Sequence, residues 1–338
     1  MGSPSTSRVL VTDYVWPNLD VERSVLAAIG AELVVAEGGE EEELRSLARG
    51  VDAILTCFKR VSRETLLAAD RCRLVSRYGV GVDNIDVSTA TELGILVTNV
   101  PDYCVDEVSD HALALLLSAA RRVMVYDRSV RRGEWDGKVG MPIPRLRGLT
   151  LGIIGLGRIG RAVARKASVF GLRIIAYDTQ PPAEVGAGVE VTFVDLETLL
   201  RESDFITLHA PLLPETTNLI NAETLQKMKK SAWLVNTSRG GLVDTKALAQ
   251  ALQKGQIGGA ALDVLPQEPP EANEPLRALP NVVLTPHVAF YSEGSLAELE
   301  RRAAEHVVQV LQGERPIHLV NPQVLQQSNC RLSQKTAP

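Results

Sequence analysis

Short apolar runs alternate with amphipathic stretches through the first hundred residues. Arg8–Thr12 (RVLVT), Glu32–Ala36 (ELVVA), Ala53–Thr56 (AILT), Leu74–Ser76 and Leu96–Thr98 read as buried strands, with helical segments at Val21–Ile29, Glu40–Ala48 and Arg63–Ala69 between them. Strand–helix alternation at this spacing predicts βαβ units and a parallel sheet. A long helical region follows. It opens on Asp106, Glu107 and Asp110, runs through the apolar stretch Ala112–Ala120 (broken by Ser118), continues past Arg121, Arg122, Arg128, Arg131 and Arg132, and stops at Gly133. Acids first, bases last and a closing glycine suit the helix dipole and a left-handed C-terminal stop. Its apolar bulk predicts burial against another subunit or across a domain junction. A second βα series runs from Leu149 to about residue 290, and a last helix is expected over Leu296–Leu311, closed by Gly313. Residues 323–338 are polar and aperiodic and are expected to form a disordered tail.

At 338 residues the chain exceeds the size of a usual single core, so two domains are expected. Composition changes the picture little. Hydrophobic residues are 45% and charged residues 23%, with a net charge of −5 and no dense Lys/Arg block, which disfavours a nucleic-acid surface. Cys57, Cys72, Cys104 and Cys330 form neither a CxxC pair nor a metal-ligand spacing, so no metal is expected and the thiols read as incidental in a reducing compartment. The N-terminus lacks the basic and apolar regions of a secretory signal, and the longest apolar run is too short to span a bilayer. A soluble, cytoplasmic protein is expected.

The segment TLGIIGLGRIGRAVARKASVFGLRIIAYD carries the strongest local signal. An apolar strand Thr150–Ile154 leads into Gly155, Gly157 and Gly160, the pattern G-x-G-x-x-G, followed by a helix and a second strand Arg173–Tyr177 ending in Asp178. Gly155 permits the tight turn, Gly157 lets backbone approach a pyrophosphate, and Gly160 lets helix pack on strand. The pyrophosphate then meets the N–H groups at the helix N-terminus. Asp178 stands 18 residues beyond Gly160, where a carboxylate accepts from ribose hydroxyls and repels a 2′-phosphate. The pattern therefore predicts NAD(H) rather than NADP(H).

Three later strands each end in a polar group. Trp233–Asn236 leads to Arg239, Ala260–Val264 leads to Glu268, and Val282–Thr285 leads to His287. Ligands of an open parallel sheet bind beyond the carboxyl ends of its strands, so these groups are expected in one crevice with the nicotinamide. A guanidinium clamps a carboxylate, a histidine exchanges a proton near neutrality, and a carboxylate beside it orients the ring. Singly, each residue has a plain reading as a surface ion pair, a loop residue or a turn cap. Together, after a dinucleotide motif, they predict hydride transfer between nicotinamide and a small 2-hydroxy or 2-keto acid. His209, ending the strand Phe205–Leu208, is expected to border the cofactor, whereas His111, His306 and His318 read as structural.

The motifs YGVGVDNID (78–86), NVPDYCVDEVSDHALALLL (99–117), LGIIGLGRIG (151–160), LVNTSRGGLVD (234–244), GAALDVLPQEPP (259–270) and TPHVAFYSE (285–293) resemble the D-isomer-specific 2-hydroxyacid dehydrogenase family up to about residue 322. The resemblance implies an α/β protein of two doubly wound parallel-sheet (Rossmann/flavodoxin-like) domains with a cleft between them. It implies a substrate domain from 8–103 plus 292–322, an NAD-binding domain over 104–291, and a homodimer using the long helix after Asn99. By position it makes Arg239 the substrate-binding arginine and Glu268 and His287 the acid–histidine pair. Arg77, Val80 and Gly81 become the loop meeting the substrate carboxylate. Arg158, Ile159, Asp178, His209, Pro211, Thr216, Thr237 and Asp263 become cofactor contacts beside the three glycines. Val108 departs from the pattern, standing where several relatives have a Thr that reaches the cofactor phosphate. The formate dehydrogenase branch carries Gln where this chain has Glu268, which argues against formate. Phe290 and Tyr78 are expected to narrow the pocket toward glyoxylate, hydroxypyruvate or another compact acid.

The TPHVAFYSE stretch most resembles the C-terminal-binding proteins, dehydrogenase-like corepressors with Trp where this chain has Phe290. Two functions therefore stand: a 2-keto acid reductase, or an NAD(H)-gated dimeric protein-binding module. No regulatory domain of the kind appended to many phosphoglycerate dehydrogenases is expected after residue 322.

Overall fold

The computed structural model describes residues 6–186 and 188–333. The chain divides into two compact units, Met1–Tyr103 with Ser292–Pro338, and Cys104–Tyr291.

In the first unit five parallel strands, β1 (Arg8–Val11), β2 (Glu32–Val35), β3 (Ala53–Thr56), β4 (Leu74–Arg77) and β5 (Leu96–Thr98), lie in the order β2-β1-β3-β4-β5. Helices α1 (Asp20–Leu26), α2 (Glu41–Leu47), α3 (Arg63–Ala68) and α4 (Val87–Glu92) connect them. The central strands read as continuous apolar runs because both faces are covered; Leu10, Ile54 and Val75 are fully buried. The last long helix of the chain, Glu293–Leu311, also belongs to this unit and starts at a capping box in which Ser292 and Ser295 satisfy each other's backbone N–H groups. It packs against α1 and β4.

The expectation of a disordered tail from 323 is corrected for residues 323–333. Short 3₁₀ turns at Pro322–Gln326 and Arg331–Ser333 are held against the first unit. Arg331 donates its side chain to the carbonyls of Ala69, Asp70 and Cys72 at 3.1, 3.1 and 2.8 Å, and its N–H to Gly94 at 2.8 Å. Arg73 donates to the carbonyls of Leu311, Arg331 and Leu332. Order here comes from guanidinium-to-carbonyl bonds across more than 230 residues of chain, which leave no periodicity in the sequence. The part of the tail beyond 333 lies outside the described residues.

The second unit begins with α5 (Val105–Ala120) and α6 (Val123–Arg131). Seven parallel strands follow: β6 (Thr150–Ile154), β7 (Arg173–Tyr177), β8 (Thr192–Phe193), β9 (Phe205–Leu208), β10 (Trp233–Asn236), β11 (Gly259–Leu262) and β12 (Val282–Leu284). Their order is β12-β11-β10-β9-β6-β7-β8. Helices α7 (Arg158–Ser168), α8 (Leu196–Glu202), α9 (Ala222–Lys227) and α10 (Thr245–Gln253) connect them, and the helix at Glu293–Leu311 becomes α11. The chain winds outward from β6 in both directions, so the strand order reverses between β6 and β9. That is where open α/β sheets bind ligands.

The sequence predicts one long helical region from Asp106 to a stop at Gly133; two helices are found. Arg122 adopts a left-handed conformation (φ 55°) and separates α5 from α6. Its guanidinium lies 5.0 Å from the centre of the Trp233 ring, a cation–π contact no local pattern announces. The apolar side of α5 is buried within its own unit, against α7, β10 and β11, rather than needing another subunit. Lys166 of α7 ties the two helices by bonding Ser109 and Asp110 of α5 at 2.8 and 2.6 Å. Several exposed apolar side chains follow α5: Val123, Met124, Val130, Met141, and Trp135 at 91% exposure.

Candidate active site

The glycine loop sits at the reversal of strand order. Gly155 has φ 89°, and a Cβ there would lie 2.6 Å from the amide nitrogen of Ala210, so the turn out of β6 crosses the end of β9 with no room for a side chain. A Cβ on Gly160 would lie 2.2 Å from the carbonyl oxygen of Gly155. Gly157 is the opposite case: its Cβ would meet nothing within 4 Å. Space is thus kept open at the start of α7, where unpaired N–H groups favour an anion. Arg158 is exposed and Ile159 half-buried in that first turn.

Asp178, at the end of β7, accepts from the N–H of Leu156 at 2.6 Å and of Gln180 at 2.8 Å, which pins the glycine loop to the second strand. An ionised carboxylate has about four lone-pair sites, so capacity remains for hydroxyl donors. Thr237, after β10, is only 7% exposed, and its hydroxyl has no partner among the described residues. His209 is half-buried with Nε2 2.9 Å from the Thr207 hydroxyl, and burial pushes its pKa down to about 4, so the ring is neutral at physiological pH. Thr216 donates to the carbonyl of Pro211 at 2.7 Å and accepts from the N–H of Leu213 at 2.8 Å, closing the loop after β9. An open glycine cradle, an orphaned buried hydroxyl and an acidic residue at the second strand together fit a dinucleotide. Val108 is buried on α5 and carries no hydroxyl.

Arg239, Glu268 and His287 all lie in this second unit. Asn236 sets the first of them: its side-chain amide donates to the Arg239 carbonyl at 2.9 Å and accepts from the Ser238 N–H at 3.0 Å. Arg239 itself donates to the Ser238 carbonyl at 2.8 Å. A Cβ on Gly240 would sit 1.9 Å from the carbonyl carbon of Leu265, so glycine is what brings the Arg239 loop onto the Glu268 loop. Glu268 accepts from the Leu265 N–H at 2.9 Å through Oε1 and faces His287 Nδ1 at 2.6 Å through Oε2. Burial alone would raise its pKa. The hydrogen bond and charge of His287, the Leu265 N–H and the charge of Arg239 more than offset that, and it stands below its ordinary value. Because an ionised carboxylate only accepts, Nδ1 carries the proton of this bond.

His287 has a left-handed backbone (φ 54°). Its N–H donates to the Asp263 carbonyl at 2.8 Å, and the Asp263 carboxylate accepts from the N–H groups of Val288 and Ala289 at 3.0 and 2.9 Å. The Phe290 ring stands edge-on to the imidazole, centroids 6.2 Å apart. His111, which the sequence reads as structural, has Nε2 3.0 Å from the Thr285 hydroxyl, which donates to Asp263 at 2.5 Å. A lone polar ring in an apolar helix was the only local signal, and 174 residues separate the two.

Arg77, Val80 and Gly81 belong to the first unit. Arg77 is 8% exposed, its guanidinium lies 5.9 Å from the Phe58 ring centre, and its Nε has no partner among the described residues. The side chain folds across Gly79, where a Cβ would strike Nη1. The carbonyl of Val80 accepts from the Asn99 amide at 2.6 Å, and Gly81 is half-buried. Tyr78 corrects an expectation. It is fully buried, edge-on to Trp16, with its hydroxyl donating to Glu22 at 3.0 Å, so it belongs to the core of its unit and not to a pocket wall.

Residues 113–289 match the family described as D-isomer specific 2-hydroxyacid dehydrogenase, NAD binding domain. The chain is 43% identical over 291 residues to a glyoxylate reductase of Thermofilum pendens, covering 84% of this chain and 85% of that one. Among solved structures it is similar to a glyoxylate reductase from Paecilomyes thermophila (TM-score 0.86, 29% identity, 95% of this chain and 100% of that one). It is also similar to D-lactate dehydrogenase from Aquifex aeolicus complexed with NAD and lactic acid (TM-score 0.85, 28% identity, 93% and 99%).

Proposed function

This chain belongs to the D-isomer-specific 2-hydroxyacid dehydrogenase family and is an NAD-dependent oxidoreductase, and we propose that its reaction is the reduction of a compact 2-keto acid such as glyoxylate or hydroxypyruvate. The observation that carries the reading is the Glu268–His287 pair at 2.6 Å, on a loop that glycine contact joins to Arg239. Arg239 presents a planar fork that holds the carboxylate of the keto acid and polarises its carbonyl. Glu268 fixes the imidazole through Nδ1 and balances the positive charge of its protonated form. Nε2–H of that form gives its proton to the carbonyl oxygen as this becomes the alcohol oxygen; in the reverse direction Nε2 takes the proton back. NADH, when bound, supplies the hydride to the carbonyl carbon.

The cofactor contacts are assigned to Gly155, Gly157, Arg158, Ile159, Gly160, Asp178, His209, Pro211, Thr216, Thr237 and Asp263. Asp178 selects NAD(H). Arg77, Val80 and Gly81 are assigned to the substrate carboxylate on resemblance, supported by the unpartnered Nε of Arg77. Phe290 beside His287 supports a small acid, and D stereochemistry follows from the family. A second copy of the chain is assigned to the exposed apolar side chains of α6 and the segment after it, among them Val123, Met124, Val130, Trp135 and Met141, which supports a homodimer. Free thiols at Cys57, Cys72, Cys104 and Cys330 support a reducing compartment such as the cytoplasm.

The test mixes the protein with NADH and, one at a time, glyoxylate, hydroxypyruvate, pyruvate, phenylpyruvate and a longer aliphatic keto acid, following NADH absorbance. Turnover fastest with the two smallest acids is expected. Tight NADH binding with no turnover of any acid would instead favour the corepressor-like protein-binding role that the TPHVAFYSE stretch resembles.

A further inference from the structure

We propose that His111 is a positioning residue for His287, acting through Thr285 and Asp263; this rests on His287 being the proton-transferring group. A residue with a Cβ in the left-handed region needs something to hold it there. For His287 that holder is Asp263, whose carbonyl and carboxylate take three consecutive N–H groups, those of His287, Val288 and Ala289. The Asp263 side chain is fully buried, and its orientation is set in turn by the Thr285 hydroxyl at 2.5 Å.

The direction of the next bond follows from counting protons. The Thr285 hydroxyl has one hydrogen, and a carboxylate can only accept, so that hydrogen lies on the bond to Asp263. The 3.0 Å contact between Thr285 Oγ1 and His111 Nε2 therefore runs from Nε2–H to the hydroxyl oxygen, which assigns His111 a proton on Nε2. The same nitrogen stands 3.6 Å from Asp263 Oδ1. Helix α5, the residue after β12 and the residue after β11 thus form one chain of bonds ending at the backbone of His287. That backbone aims the imidazole whose Nδ1 meets Glu268. Without the His111 donor, Thr285 can turn its hydroxyl away and the Asp263 carboxylate loses the partner that orients it. The consequence is a misaimed imidazole, felt in proton transfer more than in binding.

The test compares His111→Ala, His111→Gln, Thr285→Val and His287→Ala in the full-length protein, measuring kcat and KM for the best keto acid, NADH affinity by fluorescence, and the thermal midpoint. His111→Ala and Thr285→Val are expected to lower kcat by about 10- to 100-fold while KM stays within about twofold, with any loss of NADH affinity through Asp263 smaller than the loss in kcat. His111→Gln, whose amide donates from nearly the same place, recovers kcat to within about threefold of wild type. Added to His287→Ala, the His111→Ala change costs nothing further. Full kcat in His111→Ala, failure of His111→Gln to restore it, or a loss that persists in the His287→Ala background overturns the proposal. Wild-type kcat in His287→Ala alone would overturn the proton-transfer reading instead, so the two failures are distinguishable.

Discussion

Glu268 faces His287 at 2.6 Å from a loop whose own N–H, that of Leu265, occupies the other carboxylate oxygen at 2.9 Å. The carboxyl is thus fixed at both ends, and with Arg239 adding positive charge its pKa lies below the ordinary value despite burial. A depressed carboxylate is ionised above its ordinary value and is lost only as pH falls through the lower, folded value. Glu268 therefore stays ionised above the ordinary carboxylate range. Glu268→Gln removes that charge at every pH, and kcat for keto acid reduction is expected to fall by about tenfold or more with NADH affinity unchanged. Steady-state kinetics and NADH fluorescence titration check it; an unchanged kcat would remove Glu268 from the mechanism.

Asp178 pins the glycine loop through the Leu156 N–H, and we propose that it also meets the adenosine ribose. Asp178→Ala should lower the preference for NAD over NADP in kcat/KM by about tenfold or more, by removing the repulsion of a 2′-phosphate. It should also weaken NAD binding, because the loop loses its pin. Measuring kcat/KM with both cofactors decides this, and an unaltered ratio would sink the selectivity role.

Arg331 binds three carbonyls of the segment between α3 and β4. Arg331→Ala removes the side-chain donor from all three carbonyls, of which, among the described residues, only that of Ala69 also accepts a backbone N–H, from Cys72, and is expected to destabilise the first unit by about 1–3 kcal/mol. Chemical denaturation of the wild-type and variant proteins gives the difference. A midpoint that does not move would mean the C-terminal turns contribute no stability.

Glu22 on α1 and Glu300 on α11 are buried carboxyls of the first unit. Burial and the neighbouring Glu22 raise the pKa of Glu300 to about 7, and burial raises that of Glu22 against the opposing Tyr78 hydroxyl, Trp16 and Arg23. The folded state therefore keeps a proton that the unfolded state releases above about pH 4.5. Stability is fullest below the unfolded value and falls as pH rises toward 7. Glu300→Gln should raise the thermal midpoint at pH 8, by up to about 3 kcal/mol in stability, and leave it nearly unaltered at pH 4.5. Melting curves at both pH values check the sign; a variant less stable at pH 8 would contradict it.

The order of elements was legible because both sheets are parallel and covered on both faces. Their strands read as short apolar runs, and the glycine pattern 155–160 followed by Asp178 marks the nucleotide end of the second sheet without any long-range information. The meeting of the Arg239, Glu268 and His287 loops was legible for a related reason: each follows an apolar run, and parallel topology carries strand ends to one edge. What the linear chain left open was decided by contacts between distant residues. Arg122 breaks a helix where no glycine or proline stands, Tyr78 turns inward to Glu22, and Arg331 orders a polar tail against carbonyls more than 250 residues away. His111 reads as structural in the sequence, and only packing puts the Thr285 hydroxyl 3.0 Å from it. Hydrophobic periodicity reports which face of an element is buried, and it is silent about which polar partner a buried group will find. That partner is chosen only when the elements pack.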